Sequence, residues 1–215
     1  MIGRSTLGIA WLALVATACY PDRSVDSTSE FASVTTAFDN TADFSTITKY
    51  AMPDTVLYVP KEDKEVPAAT QAAILSQVRQ NLNALGWQEV TNPTAANPVD
   101  AYVTNIITTQ LNVYYYYYWW DYWYWYGGWP PGWGGGYGWY YPPTWYTYAY
   151  TTGTLMMSII NAKTSAVPGR DKIVPVVWSG AANGILADQA TNVAIVTAAI
   201  DQAFKQSPYL GGASK

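Results

Sequence analysis

The sequence predicts an α+β domain: a two-layer sandwich in which an antiparallel or mixed sheet of about four strands carries two helices on one face, with an aromatic-rich β-hairpin or loop projecting from it. Three observations predict this. The chain has 215 residues, half of them hydrophobic, which is enough for a core. Its apolar period switches between two and 3.6 in the order strand, helix, three strands, helix. The pattern is interrupted once, at 114–150, by a stretch made almost entirely of Tyr, Trp, Gly and Pro.

The elements follow in order. Residues 43–52, with Phe44, Ile47 and Tyr50 among polar neighbours and Pro53 closing the run, read as a first strand, and Val56-Leu57-Tyr58-Val59 as a short extension of it. Pro67 sits where a helix can begin; Ile74, Leu75, Val78, Leu82 and Leu85 then fall on one helical stripe, and Gly86 is the expected stop. Trp87 reads as core. From Asp100 the period becomes two, with Ala101, Val103, Ile107, Leu111 and Val113 on one face and Thr104, Thr108 and Asn112 on the other. Strands are also expected over Thr152 to Ala162 and over Ile173 to Ala182, the latter with Val174, Val176 and Trp178 aligned. Pro168-Gly169 supplies a turn between them. Val193, Val196, Ile200, Ala203 and Phe204 mark a second helix, ended by Ser207-Pro208.

Composition narrows the function classes. A net charge of −4 with eleven scattered Lys and Arg gives no field for gathering phosphates, so nucleic acid is not an expected partner. Histidine is absent and the one cysteine is Cys19, so no thiolate or imidazole metal site, no Ser-His-Asp or Cys-His catalysis and no internal disulfide can be built. Neither a metal nor a cofactor is expected.

The N-terminus reads as a leader. Met1 to Arg4 is a short positive start, and Leu7 to Val15 is an apolar run of signal-peptide length, too short to cross a bilayer. It ends in Ala16-Thr17-Ala18-Cys19, which resembles a lipobox with Ala16 in place of the usual Leu or Val. The domain organisation expected is therefore a lipoprotein signal peptide over 1–18, lipid attachment (palmitate among its acyl chains) at Cys19, a flexible tether over 19–42 and a single domain over 43–210. Ala16-Thr17-Ala18 also fits ordinary secretory cleavage, so a soluble secreted protein stays open. Tyr20 to Ala42 is rich in Ser, Thr and Asp, and a coil of that length reaches about 25 Å. Tyr20, rather than Asp, directly after Cys19 leans towards the outer membrane, facing the periplasm.

Several short motifs carry a family resemblance: Asp43-Phe44-Ser45 leading to Tyr50-Ala51, Leu85-Gly86-Trp87, Val99-Asp100-Ala101-Tyr102-Val103, Gly153-Thr154-Leu155 and Val177-Trp178-Ser179-Gly180-Ala181. In this order, behind such a leader, they make the chain resemble the bacterial lipoprotein family called domain of unknown function 4136. The departures are Asn161, where the family often has Asp, and a longer link at 163–172. The resemblance implies a cell-envelope lipoprotein of unassigned activity.

The aromatic stretch holds eight of the eleven tryptophans: Trp119, Trp120, Trp123, Trp125, Trp129, Trp133, Trp139 and Trp145. An unbroken strand from Ala101 to Tyr126 would measure about 85 Å, far beyond ordinary strands, so the distal part is expected to leave the domain with its tip near 127–143. Three readings stay open. These rings could stack on envelope polysaccharide or a protein partner, rest at a membrane interface or an oligomer contact, or form a tolerated low-complexity insertion without a ligand. Asp171, Asp188 and Asp201 are carboxylates in turn-like or solvated contexts, and Gly134-Gly135-Gly136 lacks the Lys-Ser/Thr of a phosphate loop, so no catalytic residue is assigned and the protein reads as non-enzymatic.

Overall fold

The computed structural model describes residues 33–59, 66–108, 138–140, 153–163, 173–185 and 193–212. Its strands are β1 (Ser33–Phe38), β2 (Lys49–Ala51), β3 (Leu57–Val59), β4 (Gln88–Glu89), β5 (Ala101–Thr108), β6 (Gly138–Tyr140), β7 (Thr154–Asn161) and β8 (Ile173–Asn183). The helices are α1 (Ala68–Ala84) and α2 (Val193–Lys205). The sheet runs β1-β8-β7-β5-β2-β4, with β3 beside β5 and β6 beside β8. Pairing is antiparallel for β1, β8, β7 and β5 and parallel for β2 with β4 and β5, so the sheet is mixed. The α+β class holds, with more strands than the expected four.

Both helices lie on one face of the sheet. Ile74, Leu75, Val78 and Leu82 of α1 join Val196, Ala199, Ile200, Ala203 and Phe204 of α2 over Val103, Ile107, Leu155, Met157, Ile159 and Trp178 of the sheet. The end of α1 explains the Leu85-Gly86-Trp87 motif. Gly86 takes φ +85°, its N–H bonds to the Asn83 carbonyl at 2.9 Å, and the Trp87 N–H bonds to the Leu82 carbonyl at 3.1 Å. These are the two bonds of a Schellman stop, and they drop Trp87 straight into the core.

Four expectations are corrected. Ser33–Phe38, assigned to the tether, is a strand paired along its whole length with β8; counting its Ser and Thr as polar linker overlooked that Val34, Thr35 and Thr36 are β-branched. The first strand is shorter than 43–52, because Phe44–Thr46 forms a 3-10 turn capped by the Asp43 carboxylate, which accepts from the Ser45 N–H at 3.1 Å. The three-residue spacing of Phe44 and Ile47 belongs to that turn, and of the three only Tyr50 lies in a strand, β2. Val176 and Trp178 are not aligned: a bulge opposite Ile159/Ile160 puts Trp178 under the helices and Val176 on the other face. Val193, at the start of the second stripe, is exposed at the first turn of α2.

Candidate functional site

Strand directions bring several chain junctions to one end of the sheet. Ser33 opposes Asn183, Leu155 opposes Ala182, and Thr108 opposes Thr154. The place where β1 enters and the two places where the aromatic stretch leaves β5 and returns to β7 are therefore neighbours. Side chains bind this end together: the Thr154 hydroxyl donates to Asn183 Oδ1 at 3.0 Å, and Asn183 Nδ2 donates to Ser33 Oγ at 3.2 Å. This convergence was not legible in the sequence, because it depends on which strands pair and not on any local motif.

The opposite end is clasped by Asp100. Its Oδ2 accepts from the Thr48 and Lys49 N–H groups, both at 2.8 Å, and its Oδ1 pairs with Lys163 Nζ at 2.9 Å. Burial alone would raise the carboxyl, but the Thr48 N–H, the Lys163 ammonium and the Lys49 N–H outweigh it and hold the pKa down at about 2. Asp100 thus stays ionised as a structural tie. Asp201 is engaged similarly, accepting from Gln77 Nε2 at 2.6 Å and Asn81 Nδ2 at 2.7 Å to join the two helices. Asp171 and Asp188 lie outside the described residues. Among the described residues, no group of three or more carboxylates could hold a metal ion, and no helix is long and apolar enough to cross a membrane.

Cys19 and seven of the eight candidate tryptophans, Trp119, Trp120, Trp123, Trp125, Trp129, Trp133 and Trp145, lie outside the described residues. Trp139 lies in β6, whose backbone pairs parallel with Ile173–Pro175. That places residues 138–140, within the expected projecting tip, alongside the sheet at the end far from Thr108 and Thr154.

A family model described as Domain of unknown function (DUF4136) matches residues 34–209. The chain belongs to this family. The matched range begins inside β1, in agreement with a folded DUF4136 domain that starts ahead of residue 43. A crystal structure of a DUF4136 family protein from Bacteroides thetaiotaomicron is similar at 28% identity and a TM-score of 0.61, covering 83% of this chain and 97% of that one. A PelC dodecamer from Paraburkholderia phytofirmans is similar at 12% identity and a TM-score of 0.37, covering 80% and 93%. A PDZ domain protein from Parabacteroides distasonis gives 15% identity and 0.41, covering 82% of this chain and 35% of that one. No curated protein matches. DUF4136 membership carries no enzymatic or ligand-binding assignment.

Proposed function

We propose that this DUF4136 protein is a non-enzymatic envelope lipoprotein, anchored through Cys19, whose aromatic stretch meets the membrane interface. One observation carries the reading: Ser33, Thr108 and Thr154 lie at the same end of the sheet. Fourteen residue steps separate Cys19 from Ser33, and a coil of that length spans about 20 Å. A lipid on Cys19 would hold the Ser33 end of the sheet next to the bilayer. The roots of the aromatic stretch are at that end, and Trp119, Trp120, Trp123 and Trp125 follow Thr108 closely. Indole and phenol rings favour the headgroup zone, where the ring is desolvated while its N–H or O–H keeps a polar partner. The acyl chains on Cys19 would already anchor the protein stably, so the ring contact would orient the domain against the bilayer rather than supply the attachment.

Two measurements test this. Palmitate label should enter the wild type and be absent from Cys19→Ala; label in neither removes the anchor. The unlipidated Cys19→Ala form should still sediment with anionic vesicles, several-fold more than a version that also carries Trp→Ala at 119, 120, 123 and 125. Equal sedimentation rejects the interface. Retention of the unlipidated form on envelope polysaccharide, lost in the same four-tryptophan variant, would favour the sugar-stacking alternative.

A further inference from the structure

We infer that Asn183-Gly184 is a spontaneous deamidation site gated by β1. While Ser33 is docked the Asn183 amide is held unreactive; once β1 comes away it cyclises and leaves an acid that weakens re-docking. The gate follows from strand pairing and side-chain contacts and holds without the membrane reading.

Asn183-Gly184 is the one Asn-Gly pair in the sequence. Glycine is the follower that suits the reaction, because it has no Cβ to hinder its own nitrogen. Asn183 is the last residue of β8, and Gly184 turns the chain away with φ +73°. Among the described residues no hydrogen bond engages the Gly184 N–H, so its nitrogen is available. That nitrogen attacks Asn183 Cγ, a C–N bond closes the succinimide ring, and the side-chain nitrogen leaves as ammonia, taking the proton of the Gly184 N–H. Water then opens the ring at either carbonyl to give aspartate or isoaspartate.

The folded arrangement opposes the first step. From β7 the Thr154 hydroxyl donates to Asn183 Oδ1 at 3.0 Å. On the other side Asn183 Nδ2 donates to Ser33 Oγ at 3.2 Å and to the Ser33 carbonyl at 3.4 Å. A side chain tied at both ends cannot swing Cγ onto the Gly184 nitrogen. The two ties differ in how firmly they are seated. β7 lies inside the sheet between β5 and β8, whereas β1 is an edge strand whose described partner is β8. Ser33 is its first residue and is exposed, so the Ser33 tie opens first. The product fits that side less well. A carboxylate has no N–H to give the Ser33 carbonyl, and isoaspartate adds a main-chain carbon at the terminal ladder pair, Ser33 with Asn183.

Mass spectrometry around residue 183 reads the conversion in residues 19–215 carrying Cys19→Ala, aged in mildly alkaline buffer. It should run about tenfold slower than in a free peptide of residues 179–187, because hydrogen bonds must first be given up. Removing 20–38 should bring it to within a few-fold of the peptide with β5 and β7 still protected from hydrogen exchange. Peptide-like conversion in the intact chain overturns the inference, and so does slow conversion in a truncated chain that keeps this protection. Where the truncated chain loses the protection, Ser33→Ala decides: it keeps β1 and removes one acceptor, so a few-fold gain supports the gate and no gain overturns it. In the aged intact chain the converted fraction, separated by its extra negative charge, should exchange several-fold faster over residues 33–38 than the unconverted fraction. Equal exchange overturns the weakened re-docking.

Discussion

The Trp178 indole N–H donates to Ser207 Oγ at 2.8 Å, and Ser207 in turn donates to the Ala203 carbonyl at 3.0 Å. Trp178 is fully buried, so this bond satisfies its one polar atom where strand β8 meets the end of α2. Ser207→Ala removes the acceptor at 2.8 Å, leaving the indole N–H only the nearby Tyr209 hydroxyl, and is expected to cost about 1–2 kcal/mol in urea unfolding, with the slope unchanged.

Gly180 lets the same ring lie flat. A Cβ at residue 180 would stand 2.8 Å from Trp178 Cη2 and 3.1 Å from Met157 Cε. Gly180→Ala should therefore destabilise by about 1–3 kcal/mol. Combining it with Met157→Ala relieves only one of the two collisions and should not restore wild-type stability.

These two contacts account for part of the Val177-Trp178-Ser179-Gly180-Ala181 motif, which was visible in the sequence without its reason. Amphipathic elements were legible because each carries its own period: the buried stripe of α1 appears where expected, and Ala101, Val103 and Ile107 of β5 share the helix side, but the opposite face of β5, read as solvated from Thr104, is buried as well. β1 was missed because its residues are mostly small and polar, and its stability comes from β8, some 145 positions away. The 3-10 turn at Phe44 was missed because three-residue spacing imitates an irregular strand. The candidate site was less legible than the fold: only strand pairing reveals that Ser33, Thr108 and Thr154 share an end.

The domain boundary makes a direct test of β1. Removing residues 20–31 should leave the melting temperature within about 1 °C of wild type, whereas removing 20–38 strips β8 of its edge partner and should lower it by several degrees. Equal melting of the two truncations would show that β1 contributes nothing.

The Asp100 clasp fixes the acid limb of stability. Its folded pKa, about 2, lies below the ordinary carboxylate value, so it contributes stability that is present above about pH 4 and lost as pH falls to about 2. The contribution is on the order of 2 kcal/mol. Asp100→Asn should be less stable than wild type at pH 6 and should lose less further stability between pH 4 and pH 2, as followed by urea titration.

Tyr50 and Tyr102 govern the alkaline limb. Burial pushes both phenols up to about 12, with Glu89 adding to the shift at Tyr50. A raised phenol contributes stability below about pH 10 that is lost as pH rises towards 12. Tyrosinate absorbance should therefore contain a late phase, diminished in Tyr50→Phe. That variant should be neutral or slightly more stable at pH 7, because the Tyr50 hydroxyl is buried without a hydrogen-bond partner.

In the proposed function the Ser33 end of the sheet, where the aromatic stretch is rooted at Thr108 and Thr154, faces the bilayer. Quenching of tryptophan fluorescence by brominated lipid in vesicles carrying the lipidated protein tests it most directly. The account predicts clear quenching, largely abolished when Trp119, Trp120, Trp123 and Trp125 are all changed to Phe, with Trp87 and Trp178 unaffected in the core. Identical emission from brominated and plain vesicles would contradict it.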